Sequence, residues 1–203
     1  MKPLFGIFLL LLLTCCRTPH KKDGYIENKK KPVVILQPLH YSDTVSLQFI
    51  KDAVEKFYNV IVYINKDQSF PDGLFYKPRN RYRADRIIQW LRTNLPDSVR
   101  TIVGITSKDV STTKGDAYDY GVMGLGYRPG RACVVSTFRP AKTATATLHL
   151  QQRLLKLVIH EMGHNFNLPH CANEECFMVD AEGQMKLDQE KFLCDSCRNN
   201  FKL

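Results

Sequence analysis

The stretch HEMGHNFNLPHC, residues 160–171, constrains the fold of this chain more than any other feature. His160 and His164 are four residues apart, so on a helix their imidazoles lie one turn apart and can chelate one metal ion. Glu161 projects beside them, where a carboxylate can hydrogen-bond a metal-bound water. The apolar side chains of this stretch fall on the opposite side. The pattern predicts a helix that packs on the core and presents two ligands to a cleft, and a solvent-facing helix is the alternative.

A third ligand is needed, because a catalytic zinc ion takes three protein ligands and keeps one position for water. His170 lies six residues after His164, and a continued helix would carry it roughly 9 Å along the axis, too far to share the ion. The helix must therefore end and the chain must turn back. Asn167 stands where that turn is required, and Asn tolerates the left-handed conformation best after Gly. Pro169 then prevents the helix from continuing. The sequence therefore predicts a three-histidine metal site.

Two residues near this site have open interpretations. Gly163 costs about 1 kcal/mol in a helix relative to alanine, and a close backbone contact would explain it. Met178 is either a filler of the core or a soft floor under the metal.

Cysteines follow the histidines in the spacing C-x4-C-x17-C-x2-C, at Cys171, Cys176, Cys194 and Cys197. Four thiolates in two closely spaced pairs are typical of a structural zinc site. Two disulfides are the alternative, which an oxidising exported compartment would favour. The segment has few apolar residues and therefore needs a clamp, and the spacing favours zinc. Cys133, in the apolar run ACVVSTF, is most simply a buried small hydrophobe.

The N-terminal residues predict export. An uncharged run of ten residues, Leu4 to Leu13, is too short to span a bilayer and suits the apolar region of a secretion signal. A buried core helix is the alternative. The following LLTCC resembles a bacterial lipoprotein signal, in which Cys15 or Cys16 would become the lipidated residue; a plainly cleaved signal is the other possibility. We expect a signal peptide over residues 1–16 and a membrane-anchored lipoprotein that faces the periplasm or the cell surface.

Residues 17–31 are polar, rich in lysine and without hydrophobic periodicity, as expected of a tether. Residues 1–31 hold seven Lys or Arg and two Asp or Glu, and so carry +5 of the formal charge of +9. Because the basic charge is mostly a property of this tail, we predict no nucleic-acid partner. The folded domain is predicted to span residues 32–203.

The folded domain alternates strand and helix patterns. Apolar β-rich runs predict strands at 32–39, 60–64 and 100–106. Amphipathic patterns predict helices near 43–58, 81–95 and 144–166. Residues 107–119 are predicted to form a polar loop, and two short strands joined at residues 128–131 are predicted after it. Together these patterns predict an α/β layer architecture with a small C-terminal appendage.

The histidine and cysteine patterns join into one extended motif. It consists of His160, Glu161, His164, Asn167, His170, Cys171, Cys176, Met178, Cys194 and Cys197. This motif closely resembles that of the archaemetzincin (archaelysin) family of zinc metallopeptidases in the metzincin clan. The resemblance implies a twisted mixed β-sheet flanked by helices, an active-site helix and a small zinc-clamped C-terminal subdomain.

The resemblance also implies a role for each of these residues. The three histidines would bind a catalytic zinc ion, and Glu161 would be the general base. Met178 would be the Met-turn methionine of the clan. The four cysteines would hold a second, structural zinc ion, giving two zinc ions per chain.

Three classes of function stay open, and the last of them, a lipid-anchored surface adhesin or scaffold, rests only on the predicted anchor. The first is a peptidase that acts on a peptide or protein substrate with a zinc-activated water and Glu161 as general base. The alternative is a catalytically inactive zinc-binding and peptide-binding protein with the same fold, although such a protein would not need Glu161. The glycine-spaced stretch from Gly121 to Tyr127 is either a strand that pairs with an extended substrate or an ordinary edge hairpin.

Overall fold

The fold was analysed in a computed structural model, which describes residues 30–93 and 95–201. The predicted signal peptide, the lipidation at Cys15 or Cys16 and nearly all of the tether lie outside the described residues. No helix in the described ranges is long and apolar enough to cross a bilayer.

The strands are β1 (Val33–Leu39), β2 (Ile61–Ile64), β3 (Phe75–Tyr76), β4 (Arg81–Arg83), β5 (Val99–Thr106), β6 (Val110–Lys114), β7 (Ala117–Val122), β8 (Gly124–Gly126) and β9 (Ala132–Ser136). The α-helices are α1 (Thr44–Tyr58), α2 (Ala84–Thr93), α3 (Thr147–Asn165) and α4 (Asp195–Asn200).

The central sheet has five strands in the order β2-β1-β5-β9-β8. Its first four strands are parallel, and the edge strand β8 is antiparallel to β9. Along β9, Cys133 and Val135 join the core formed with α1 and α3, whereas Ala132 and Val134 join the core formed with α2. Burial on both faces explains why the strands are continuous apolar runs rather than alternating ones. The mixed sheet flanked by helices is confirmed, and so is Cys133 as a buried residue.

A second sheet, in the order β3-β4-β6-β7, was not predicted from the sequence. The prediction of a polar loop over residues 107–119 was wrong, because β6 and the first half of β7 lie there and pair as an antiparallel hairpin. The predicted helix at 81–95 likewise began too early, because residues 81–83 form β4. Arg81 of β4 pairs with Asp119 of β7 and with Asp109, which immediately precedes β6. Strands held by charged partners lack the apolar alternation by which strands are recognised.

The active-site helix of the prediction is α3, and buried polar contacts fix its C-terminal end to the central sheet. Asn165 is fully buried; its amide donates to the Tyr127 and Ala132 carbonyls, and its Oδ1 accepts a 2.6 Å hydrogen bond from Thr101. One turn and a half earlier, the Tyr58 hydroxyl donates to the Ile159 carbonyl at 2.7 Å. These contacts fix the helix in the region that carries the HExxH motif.

Candidate metal centre

The three histidines of the motif converge at the end of α3. The Nε2 atom of His164 lies 3.1 Å from that of His160 and 3.2 Å from that of His170. The Nδ1 atom of His160 lies 2.7 Å from the Phe177 carbonyl, and that of His164 lies 2.9 Å from the Leu168 carbonyl. Because a carbonyl only accepts, both Nδ1 atoms carry the proton. Each ring is therefore held in the tautomer that leaves Nε2 free to bind a metal.

The turn that brings His170 back is formed as the sequence predicts. Asn167 has a φ of 74° and its N–H donates to the His164 carbonyl at 2.9 Å. The Leu168 N–H donates to the Gly163 carbonyl at 2.9 Å. These are the two hydrogen bonds of a Schellman motif, with Asn in the left-handed position that glycine usually takes.

The donor set fits a zinc ion in both spacing and protonation. Tetrahedral ligands with Zn–N bonds of 2.0–2.1 Å place their nitrogens about 3.3 Å apart, close to the spacing of the Nε2 atoms. Burial, together with the neighbouring imidazole of His164, lowers the pKa of His160 to about 3. Burial also lowers the pKa of His164. Both rings are therefore neutral at pH 7, as a metal ligand must be.

Asp180 supports the third histidine. Its Oδ2 atom lies 3.3 Å from Nδ1 of His170, the most exposed of the three rings. A carboxylate on Nδ1 orients a metal-binding imidazole and raises its basicity. Sequence reasoning missed Asp180, although its place two residues after Met178 puts it on the same return segment.

Glu161 is buried beside the histidines, against the glycines of β8. A Cβ atom at Gly124 would lie 2.5 Å from Glu161 Oε1, and one at Gly126 would lie 2.6 Å from the Glu161 carbonyl. Only glycine lets the edge strand approach the helix this closely, which accounts for the glycine spacing. Burial raises the pKa of Glu161 to about 8.

Met178 lies under the helix turn that carries the histidines and is fully buried. A Cβ atom at Gly163 would lie 2.5 Å from Met178 Sδ, so the expected close contact at Gly163 is to this thioether. Met178 also joins the cysteines in one apolar cluster with Leu168.

Replacement of Gly163 by alanine tests this contact. We expect Gly163→Ala to destabilise the fold by about 1–3 kcal/mol through overpacking, despite the better helix propensity of alanine. Denaturant unfolding of the metal-free protein measures the change. In a Met178→Ala background the same substitution should cost much less, and an equal cost in both backgrounds would show that the contact is not the cause.

The four cysteines of the C-terminal segment also come together. Their Sγ atoms all lie within 4.8 Å of one another, with Cys171 to Cys194 at 3.7 Å and Cys176 to Cys197 at 3.8 Å. Zn–S bonds of about 2.3 Å in a tetrahedron place the sulfurs about 3.8 Å apart. All four thiols are free. The segment therefore has the spacing of a four-thiolate zinc site.

A cavity of about 790 Å³ opens in front of the histidines. One wall is formed by β7, β8 and the residues between them, and the other by the segment from Val179 to Met185. Glu161 and the three histidines line it, so a substrate in the cavity reaches both the ligands and the carboxylate. Glu190 lines it as well, and this residue carried no motif signal in the sequence.

Comparisons with known proteins agree with this geometry. The sequence profile of peptidase family M54 matches residues 59–203. An archaemetzincin from Haloquadratum walsbyi is 33% identical over 153 residues, which cover 71% of this chain and 85% of the relative. An archaemetzincin from Haloarcula marismortui is 31% identical over 161 residues, 73% of this chain and 87% of the relative.

Solved structures show the same fold. The crystal structure of archaemetzincin from Archaeoglobus fulgidus superposes with a TM-score of 0.70 at 24% identity, covering 83% of this chain and 99% of that one. The archaemetzincin structure from Methanopyrus kandleri gives a TM-score of 0.71 at 22% identity, covering 86% of this chain and 98% of that one.

Proposed function

Since the chain belongs to peptidase family M54, the archaemetzincins, and is a zinc metallopeptidase, we propose that it hydrolyses peptide bonds with Glu161 as general base. The observation that carries this mechanism is the position of Glu161, buried between α3 and the glycines of β8 and lining the same cavity as the three histidines. His160, His164 and His170 would hold the catalytic zinc ion. That ion supplies a Lewis acid, which lowers the pKa of a water and polarises the scissile carbonyl.

The proton transfers fall to Glu161. Its carboxylate accepts a proton from the attacking water and later donates it to the leaving amine. Burial raises the pKa of Glu161, which makes its carboxylate a stronger proton acceptor than an exposed one. The Phe177 and Leu168 carbonyls keep His160 and His164 oriented throughout, because each accepts from an Nδ1 atom.

We propose that the substrate lies extended along β8. This strand is the edge of the central sheet, so only one of its sides is paired with β9. A peptide that pairs with the other side as an added strand would run past Glu161, because Gly124 and Gly126 carry no side chain between them and the helix.

We propose that a second zinc ion is held by Cys171, Cys176, Cys194 and Cys197. The proposal rests on the spacing of the four Sγ atoms, which matches a tetrahedron of thiolates, and on the free thiols. Such an ion would be structural, because four protein ligands leave no position for water.

Metal removal tests the proposed activity. We expect the zinc-loaded protein to cleave members of a broad peptide library and the chelated protein to cleave none, with cleavage restored when zinc is added back. Product peptides are identified by mass spectrometry. A zinc-loaded protein that cleaves no peptide would favour the inactive binding protein instead.

A further inference from the structure

The cavity in front of the histidines is acidic although the chain is basic. Two basic residues line it, Lys114 and Arg139, and Arg139 is already paired with Asp109. Five acidic residues line it: Asp85, Glu161, Asp180, Glu182 and Glu190. The chain as a whole carries +9. Apart from the proposed zinc ion, the charged side chains of the lining are therefore mostly acidic, which favours a cationic group in the part of the cavity away from that ion.

Glu190 is the unusual member of this set. Its side chain is 4% exposed, and its Oε2 atom has no hydrogen-bond partner among the described residues. Of the other acidic residues, Glu182 is exposed, Asp85 pairs with Arg83 and Asp180 with His170. Glu161 is buried as well, but the proposed mechanism already uses it. A buried carboxylate oxygen without a partner is rare in folded proteins, because burial removes its hydration and nothing replaces it.

The charged neighbours of Glu190 do not supply the missing partner. Lys156 donates instead to the Leu187 carbonyl, at 2.5 Å. The Asp188 carboxylate pairs with Arg153 and His149. Burial, and to a smaller extent Asp188, raises the pKa of Glu190 to about 7, although Lys156 opposes this shift. A cation that entered the cavity close to Glu190 would favour the charged form of its carboxylate.

The walls beside Glu190 suit a long basic side chain. Leu157 and Leu187 are buried apolar residues, and Met185 is partly buried; all three line the same cavity. Leu157 lies four residues before Glu161 on α3, about one helical turn away. Lysine and arginine pack their methylene stems on apolar surface and present the charge at the tip.

We propose that Glu190 is a specificity-determining residue, which binds a lysine or arginine side chain of the substrate next to the scissile bond. This inference rests on the proposed peptidase function and names its substrate class as basic peptides. The apolar walls bind the stem of the side chain, and the Glu190 carboxylate accepts hydrogen bonds from its ammonium or guanidinium group.

A matched pair of peptides tests the proposal. The cleavage sites of the zinc-loaded wild type in a peptide library should show Lys or Arg enriched at one position that flanks the cleaved bond. Two peptides are then made that differ there only by Lys or norleucine. We expect kcat/KM to favour the Lys peptide by about 10- to 100-fold in the wild type, and this ratio to fall to near one in Glu190→Gln.

Glu182→Gln is the control, since Glu182 lines the same cavity but is exposed. This substitution also removes one negative charge from the cavity lining. It should leave the ratio of kcat/KM between the Lys and norleucine peptides within about twofold of wild type. The proposal is wrong if the wild type shows no basic preference, or if Glu190→Gln keeps it. In the second case Glu190 serves only as a neighbour of Lys156.

A binding measurement separates this inference from the proposed function. Fluorescence anisotropy compares the labelled Lys and norleucine peptides on zinc-loaded Glu161→Gln, with and without Glu190→Gln. If the wild type cleaves nothing, the peptidase mechanism fails, but a Lys preference in binding that Glu190→Gln removes would still support the subsite. Equal binding of both peptides to Glu161→Gln would overturn it.

Discussion

Glu161→Gln is expected to lower kcat/KM for peptide hydrolysis by about 10²- to 10⁴-fold, the usual contribution of a general base. The substitution keeps the size of the side chain, which matters because Glu161 is wedged against Gly124. It removes only the ability to accept a proton from water. The loss should appear in kcat, whereas peptide affinity and zinc content stay close to wild type. Steady-state kinetics and metal analysis by mass spectrometry measure the three quantities.

The control for this substitution is Glu175→Gln, an exposed surface carboxylate paired with Lys191. It should retain wild-type kcat and zinc content. If Glu161→Gln cleaved peptides as fast as this control, another group would have to accept the proton, and the proposed mechanism would fail.

A pH series on the metal-free proteins checks that Glu161 is buried as described. Burial raises its pKa to about 8 in the folded protein, against about 4.3 in an unfolded chain. The folded state therefore holds the proton more tightly, so the contribution of Glu161 to stability falls as the pH rises between these two values. Glu161→Gln should lack this loss and be the more stable protein at pH 8, with no such advantage at pH 4.

The convergence of the three histidines could be predicted from the sequence because local geometry dictates it. His160 and His164 are fixed by helical spacing, and the return of His170 follows from the turn at Asn167, whose φ of 74° is as expected. The architecture around α3 was also predictable from apolar runs. Gly163 was a correct signal of close contact, although its partner, Met178, could be identified only from the structure.

The residues that sequence reasoning missed depend on tertiary contacts. Glu190 and Asp180 are ordinary acidic residues in a polar segment, and only packing brings them to the cavity. In the sequence Asn165 looks like an ordinary polar residue of a helix. In the structure it is fully buried, and its amide donates a hydrogen bond to the Tyr127 carbonyl. The second sheet was missed for the same reason, since its strands carry charged and polar side chains, such as the paired Arg81 and Asp119, in place of the apolar pattern that marks a strand.

The second large effect is expected at the cysteines. Cys176 is fully buried and packs in one cluster with Met178, directly behind the helix turn of the histidines. Binding of a structural zinc ion contributes about 10–16 kcal/mol in zinc-finger peptides, so loss of one thiolate should be severe. We expect Cys176→Ser to lose the second zinc ion and to destabilise the protein by several kcal/mol. The occupancy of the histidine site by zinc should also fall, because the apolar cluster behind α3 is then packed less tightly. Thermal unfolding and metal counts per chain measure both.

Cys133→Ala is the matched control, because Cys133 is also fully buried but lies in β9, outside the four-thiol cluster. It should lose some stability through a small cavity and keep two zinc ions per chain. If the wild type instead held one zinc ion, and thiol titration after denaturation found four thiols fewer than its cysteines allow, the segment would be closed by two disulfides. Cys176→Ser would then lower stability without changing the metal count, since a disulfide acts mainly on the unfolded chain and holds no ion.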